Sequence, residues 1–274
     1  MKVVKSLIKC LFLMTLLGHA YANAAEEKIA EGLKAISEKR FAEAVQIFAK
    51  SFENGKPEAG FYLGRMSEVG TGVQVDKLNA VALYKQAAEM GSAKAFNRLG
   101  IMHYLGDSGV LQSYDLAIEN LCKAAELGYS EAMYNCAELS IDSKKHTFDK
   151  KKALKYYVKA ANIDHIASIN KLGDLYKAGE LVEKNNDKAT QYFKLAAGLG
   201  NAYGLFSYAK TLEQGEGTNK DFISAHVYYN LATKAGHPKG NESLDRVGSL
   251  LDAKQLARAQ KLAGEWKVTP AKTL

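Results

Sequence analysis

Ser168-Ile169-Asn170-Lys171 and Ser207-Tyr208-Ala209-Lys210 both read Ser-x-x-Lys. On a helix that spacing brings a serine and a lysine to one face, the pair with which a penicillin-binding site begins. The companion elements Ser-Asp-Asn and Lys-Thr-Gly are absent, so acyl chemistry is not expected of either pair. Six histidines are scattered, at His19, His103, His146, His165, His226 and His237. None forms His-x3-His or stands at zinc spacing from a cysteine, so neither a metal nor another cofactor is expected. Gly70-x-Gly72, Gly106-x2-Gly109 and Gly215-x-Gly217 suggest phosphate loops, but no strand pattern precedes them and no Gly-Lys-Ser/Thr follows. They read as turns. Cys122 and Cys136 admit two readings, a disulfide in an oxidising compartment or two buried small hydrophobes. No catalytic residue is expected, and the chain reads as a non-enzyme.

These residues are positioned by a repeat. Ala80, Ala117, Ala153, Ala189 and Ala225 follow one another at steps of 37, 36, 36 and 36 residues. Four positions after each comes a large residue: Tyr84, Leu121, Tyr157, Phe193, Tyr229. A small pair follows, then a stop at Gly91, Gly128, Asp164, Gly200 or Gly236. A fixed period of this size means stacked supersecondary units whose core is spread along the row. Each unit reads as two helices joined by a loop, and three prolines in 274 residues suit a helical chain. The expected fold is all-α, a solenoid of antiparallel helix pairs. Both Ser-x-x-Lys matches fall at the same place in a first helix, where repeat packing explains the spacing.

The expected organisation has four parts. Residues 1–22 form a signal peptide: Lys2, Lys5 and Lys9, then apolar Leu11–Leu17, then the small-x-small site Ala20-Tyr21-Ala22. Residues 23–56 form a shortened, degenerate tetratricopeptide-like repeat, with Ile29, Leu33 and Ile36 on its first helix and Ala44, Val45, Phe48 and Phe52 on its second. Residues 57–236 hold five further repeats. Residues 237–274 hold capping helices and a tail, with Leu244, Val247 and Leu251 on one helix. Asp252 caps the other, whose apolar positions are Leu256, Leu262 and Ala263, and Trp266 packs there. No segment after the leader is apolar enough to span a bilayer. Loss of three lysines with the leader lowers the formal charge from +7 to +4. That mild excess, with both signs interspersed, argues against a nucleic-acid partner. The densest basic run, Lys144-Lys145 with Lys150-Lys151-Lys152, is placed in an inter-helix loop.

The order Ala59-x3-Leu63-Gly64, Gly70-Thr71-Gly72-Val73, Asp76, then Ala80-x3-Tyr84-x2-Ala87-Ala88-x2-Gly91 resembles the Sel-like repeat (SLR) family. Five repeats over about 57–236 carry the landmarks in register. The repeat from Ser130 departs most, with Cys136-Ala137 for Leu-Gly and a loop after Asp142 that lacks glycines. The resemblance implies a right-handed superhelix whose first helices line the concave side, and an adaptor that holds other proteins. Its exported bacterial members imply envelope assembly, motility, export or host contact.

The concave positions offered for binding lie between the buried Ala and Leu-Gly slots. They are Phe61, Tyr62, Arg65; Asn97, Arg98, Ile101; Tyr134, Asn135, Glu138; Asn170, Lys171, Asp174; and Phe206, Ser207, Lys210. Aromatic and arginine side chains at a surface are the usual anchors of protein interfaces. Cys122 and Cys136 each lie seven residues from Tyr129, at the turn between two helices, so antiparallel packing sets them side by side. Such a bridge is one turn deeper than those of cysteine-rich SLR proteins. The expected protein is an exported, monomeric adaptor in the periplasm of a Gram-negative bacterium, or secreted, gripping an extended segment of another envelope or exported protein. The alternatives are a cell-wall-fragment or β-lactam-binding protein, or a secreted host-interaction factor.

Overall fold

A computed structural model describes residues 26–142 and 149–269. Residues 1–22, expected as a leader, Lys144-Lys145, His146 and the loop after Asp142 lie outside the described residues. Within them the chain is helical and strand-free. Helix α1 covers 26–37, followed by α2 (Phe41–Glu53), α3 (Pro57–Val69), α4 (Lys77–Glu89), α5 (Ala93–Leu105), α6 (Tyr114–Glu126) and α7 (Ser130–Ser140). Then come α8 (Lys150–Ala161), α9 (Ile166–Ala178), α10 (Asn186–Gly198), α11 (Ala202–Gln214), α12 (Phe222–Lys234), α13 (Gly240–Gly248) and α14 (Ala253–Glu265). The chain divides into two compact units, one ending at Ala132 and the other starting at Met133. Among the described residues no helix is long and apolar enough to cross a membrane.

Local chemistry starts and stops each helix. Asp76, Ser113, Asp149, Asn185 and Asp221 precede the second helices α4, α6, α8, α10 and α12. Each side chain accepts the backbone N–H three residues on. That bond satisfies one of the donors a helix start leaves open. Ser92, His165 and Asn201 do the same for the first helices α5, α9 and α11, and Pro57 sits in the first turn of α3. The first helices α3, α5, α9 and α11 end on a left-handed glycine, as at Gly70 with φ +76°, a conformation in which a Cβ is strained. Where second helices elsewhere stop on glycine, α8 stops at Asp164 with φ +58°, and aspartate is among the few side chains that tolerate this region.

Within the first unit, α2 packs on α3, α3 on α4, α4 on α5 and α5 on α6. Ala44, Phe48, Ala59 and Met66 make one core cluster, and Ala80, Tyr84, Ala87, Ala95, Leu99 and Met102 the next. Within the second unit, α8 packs on α9, α9 on α10, α10 on α11 and α11 on α12, and α12 carries α13 and α14. Where the matching slot on the first helix is glycine, the large residue of the second helix fills it. A Cβ on Gly64 would lie 2.6 Å from Tyr84 Cε1, and one on Gly173 would lie 2.5 Å from Phe193 Cε1. Both aromatic rings are fully buried, each stabilising its layer by roughly 1.5–3 kcal/mol. Ala160 is likewise fully buried. Ala160→Leu is expected to destabilise the protein by about 1–3 kcal/mol, because packing this close has no room for three more carbons. An unchanged thermal melt would contradict this packing.

Four expectations need correction. Lys150-Lys151-Lys152 are not loop residues; they form the first turn of α8, because Asp149 caps the Lys152 N–H and Ala153 must enter the core. On α1, Leu33 faces outward while Gly32 and Ala35 are buried, since a small stripe lets Phe48 approach. On α14, Leu262 is exposed and Ala259 joins Ala263 in the core, again by close approach to α12. Leu251 follows the end of α13. Asp252 makes a full capping box with Gln255, and Trp266 packs on the terminal cluster.

Candidate functional site

The side chains offered for binding project from first helices, and fourteen of the fifteen are half-buried rather than exposed. Lys210 is the exception. Some are covered from the following repeat, as Tyr62 is by Lys94 and Asp174 by Tyr203. In the first unit, Tyr62 stacks on Phe48 with centroids 5.1 Å apart, and its hydroxyl accepts from Lys94 Nζ at 2.9 Å. Phe61 meets Tyr62 edge-on and leans on Tyr84. Arg65 and Arg98 both donate to one carboxylate, Glu68, at 2.8 Å and 3.1 Å. Asn97 and Ile101 lie beside Arg98 on the same helix.

In the second unit, Tyr134 meets the Tyr157 ring edge-on and leans on His165. Asn135 is half-buried one residue before Cys136. Lys171 Nζ pairs with Glu138 at 3.0 Å. Asn170 donates to the Asn201 side chain at 2.9 Å, and Asp174 accepts from the Tyr203 hydroxyl at 2.7 Å. Burial pushes the Asp174 carboxyl above the ordinary aspartate range and the Tyr203 hydroxyl up to about 12. Phe206 stacks on His237 with centroids 3.9 Å apart.

A polar element recurs that the sequence reading missed. Tyr84, Tyr157 and Tyr229 are buried, yet each carries a hydroxyl that needs a partner. Each finds a first-helix glutamate: Glu68 at 2.7 Å, Glu138 at 2.5 Å and Glu213 at 2.7 Å. Each glutamate also takes a cation from the next first helix or cap: Arg98, Lys171 and Arg246. Burial holds Tyr84 and Tyr229 up at about 12, and burial with the Glu138 bond raises Tyr157 further. These hydroxyls are neutral donors that lock neighbouring layers. The signal was present: repeats with tyrosine in the large slot carry a glutamate, while those with Leu121 or Phe193 have Tyr104 or Lys177 where Glu68 and Glu213 stand. Arg98, Glu138 and Lys171 therefore serve packing first.

The chemical candidates resolve in the same way. Ser168 Oγ lies 2.9 Å from His165 Nδ1, a serine–histidine pair by distance that the sequence did not disclose. Ser168 is fully buried, and the same nitrogen takes the Ser168 backbone N–H as the cap of α9, so the pair closes a helix end. Lys171 is paired with Glu138. Ser207 and Lys210 share a face of α11. His103 Nδ1 lies 3.2 Å from the Leu111 carbonyl at the repeat's loop. Among the described residues no group of three histidine, cysteine or acidic side chains could hold a metal. Cys122 and Cys136 are both buried and both disulfide-bonded.

The second unit carries an open recess of about 370 Å³ on the first-helix side, lined from α9, α10, α11 and the turn after α12. It collects Asp174, Phe206, Ser207 and Lys210 with Tyr203 and His237. It is a place where a side chain of another molecule can lodge.

Comparison with known proteins agrees with this architecture. The Sel1 repeat profile matches residues 57–92, 93–129, 130–165, 166–201 and 202–237. The chain is similar to the Sel1 repeat protein from Oxalobacter formigenes, with TM-score 0.71 and 26% identity over 86% of this chain and 99% of that one. It is also similar to c5321, a protective antigen of uropathogenic Escherichia coli strains displaying an SLR fold. That match has TM-score 0.69 and 26% identity, covering 80% of this chain and 47% of that one. Chitin synthase regulatory factor 3 of Schizosaccharomyces pombe is 27% identical over 143 residues, which are 50% of this chain and 15% of that protein. The chain thus spans a small part of that curated relative. Sel1 repeat proteins are generally adaptors for protein–protein interaction, and their fold is typically a non-enzymatic scaffold. With five matched repeats borne by consecutively packed helix pairs, this chain belongs to the Sel1 repeat family of helical solenoid proteins.

Proposed function

We propose that the protein is an exported adaptor that holds an extended segment of another envelope or exported protein on its first-helix faces. The observation that carries this reading is the recess on the first-helix side of the second unit. It combines the half-buried Phe206 and His237 rings with the exposed Tyr203 and Lys210, the mixture that anchors protein interfaces. The basic, apolar and small-residue order of Met1–Ala22 supports export. The disulfide state of Cys122 and Cys136 fits an oxidising compartment.

Affinity capture from a cell-envelope extract tests this, with variants chosen away from the glutamate clamps. Ile101→Arg and Ser207→Glu place larger charged side chains on the binding faces. Lys85→Glu alters an exposed second-helix position. The captured partner is expected to fall about tenfold or more with either face variant and to persist with Lys85→Glu. Capture insensitive to both face variants would sink the reading. Export is tested separately, by finding the processed chain in a periplasmic or medium fraction.

A further inference from the structure

The recess of the second unit has an aromatic floor and an unbalanced charge. Phe193, Tyr203 and Phe206 line it from α10 and α11, and His237 closes one side against the Phe206 ring. Burial, with Lys239 nearby, lowers the His237 pKa, so that ring is neutral at pH 7 and adds flat surface without charge. Asp174, the one acid of the lining, accepts from the Tyr203 hydroxyl. Lys177 is held by Glu216 at 3.0 Å. Lys210 and Lys239 remain, exposed and without an acidic partner within 4.0 Å among the described residues. Two free ammonium groups on the rim of an aromatic recess make a local field that favours a negative group. The rings below favour an apolar side chain next to it.

Resting on the adaptor reading above, we infer that this recess takes an aspartate or glutamate side chain of an extended partner peptide, with Lys210 and Lys239 as its ion partners and a neighbouring apolar side chain on the Phe206–His237 floor. Charge complementarity selects the occupant: a basic segment would meet two unpaired lysines, and a purely apolar one would leave them unsatisfied. Ser207, at the rim of the same lining, supplies a hydroxyl donor to the incoming carboxylate.

The test uses the full chain immobilised for selection from a random twelve-residue peptide library on phage. Enriched peptides are then synthesised with amidated C-termini, and their binding is read by fluorescence anisotropy. The enriched sequences are expected to set Asp or Glu beside an aromatic or aliphatic residue. Changing that acid to its amide should weaken binding about tenfold or more, as should the double variant Lys210→Glu/Lys239→Glu. Raising the salt should weaken it as well. The amide peptide reads the same contact on unaltered protein, so a folding defect in the double variant cannot mask the result. Enriched peptides without acids, or acidic peptides indifferent to both changes, would overturn this inference while leaving the adaptor reading intact. A library that yields no binder would overturn both.

Discussion

Phe193→Ala is expected to cost about 3–5 kcal/mol, the largest loss from any single truncation proposed for this chain. The ring is 1% exposed and fills the space left by Gly173, where a Cβ would lie 2.5 Å from Phe193 Cε1. Removing it loses the transfer energy of the ring and opens a cavity between α9 and α10. Those helices also carry Asp174 and the recess, so peptide binding should fall with stability. Phe193→Leu copies the second repeat, where Leu121 faces Gly100, and should cost less than about 1.5 kcal/mol. Urea unfolding followed by circular dichroism measures both. Equal midpoints for the alanine and leucine variants would show that the slot is not filled as described.

Arg98→Ala is expected to cost about 2–3 kcal/mol. Breaking a buried ion pair from one side typically costs more, about 3–5 kcal/mol, because the remaining charge stays desolvated. Glu68 is such a charge, with its side chain 8% exposed, but Arg65 stays beside it and takes part of the load. Replacing both partners, Glu68→Met with Arg98→Met, removes the desolvation problem and should recover most of the loss. The Tyr84 hydroxyl then lacks its acceptor, so recovery should be incomplete. A double variant no more stable than Arg98→Ala would argue that the pair contributes net attraction instead. Arg98 is therefore a poor reporter of partner binding, since its loss loosens α3 from α5 before any ligand arrives.

The limits of sequence reading follow from what each residue requires. Asp76 was legible as a landmark of the repeat, but the caps at Ser113, Asp149, Asn185 and Asp221 were not read from the sequence, although they recur at the same 37- and 36-residue steps. Helix pairs were legible because the small and large slots recur in register. The fate of Leu33 and Leu262 was not, because a helix with a narrow alanine or glycine stripe buries that stripe and turns its leucines outward. The exposure of the first-helix positions was misread for a related reason: a side chain three or four positions along is a neighbour on its own helix, but its lid comes from about thirty residues away. The bond from Lys94 to Tyr62 and that from Tyr203 to Asp174 are such lids.

By itself the sequence determined the period, the helix pairs and the family, because each rests on residue types recurring at a fixed spacing. Only the tertiary structure decided which polar side chains hold the layers together and which remain available. Glu68, Glu138 and Glu213 are fixed by tyrosine hydroxyls and cations brought from other helices, whereas Lys210 and Lys239 are left over. The physical reason is that a buried charge must be matched in space. The Ser168–His165 contact looks like chemistry and is a helix cap, since burial, which spacing alone does not report, closes it to any substrate.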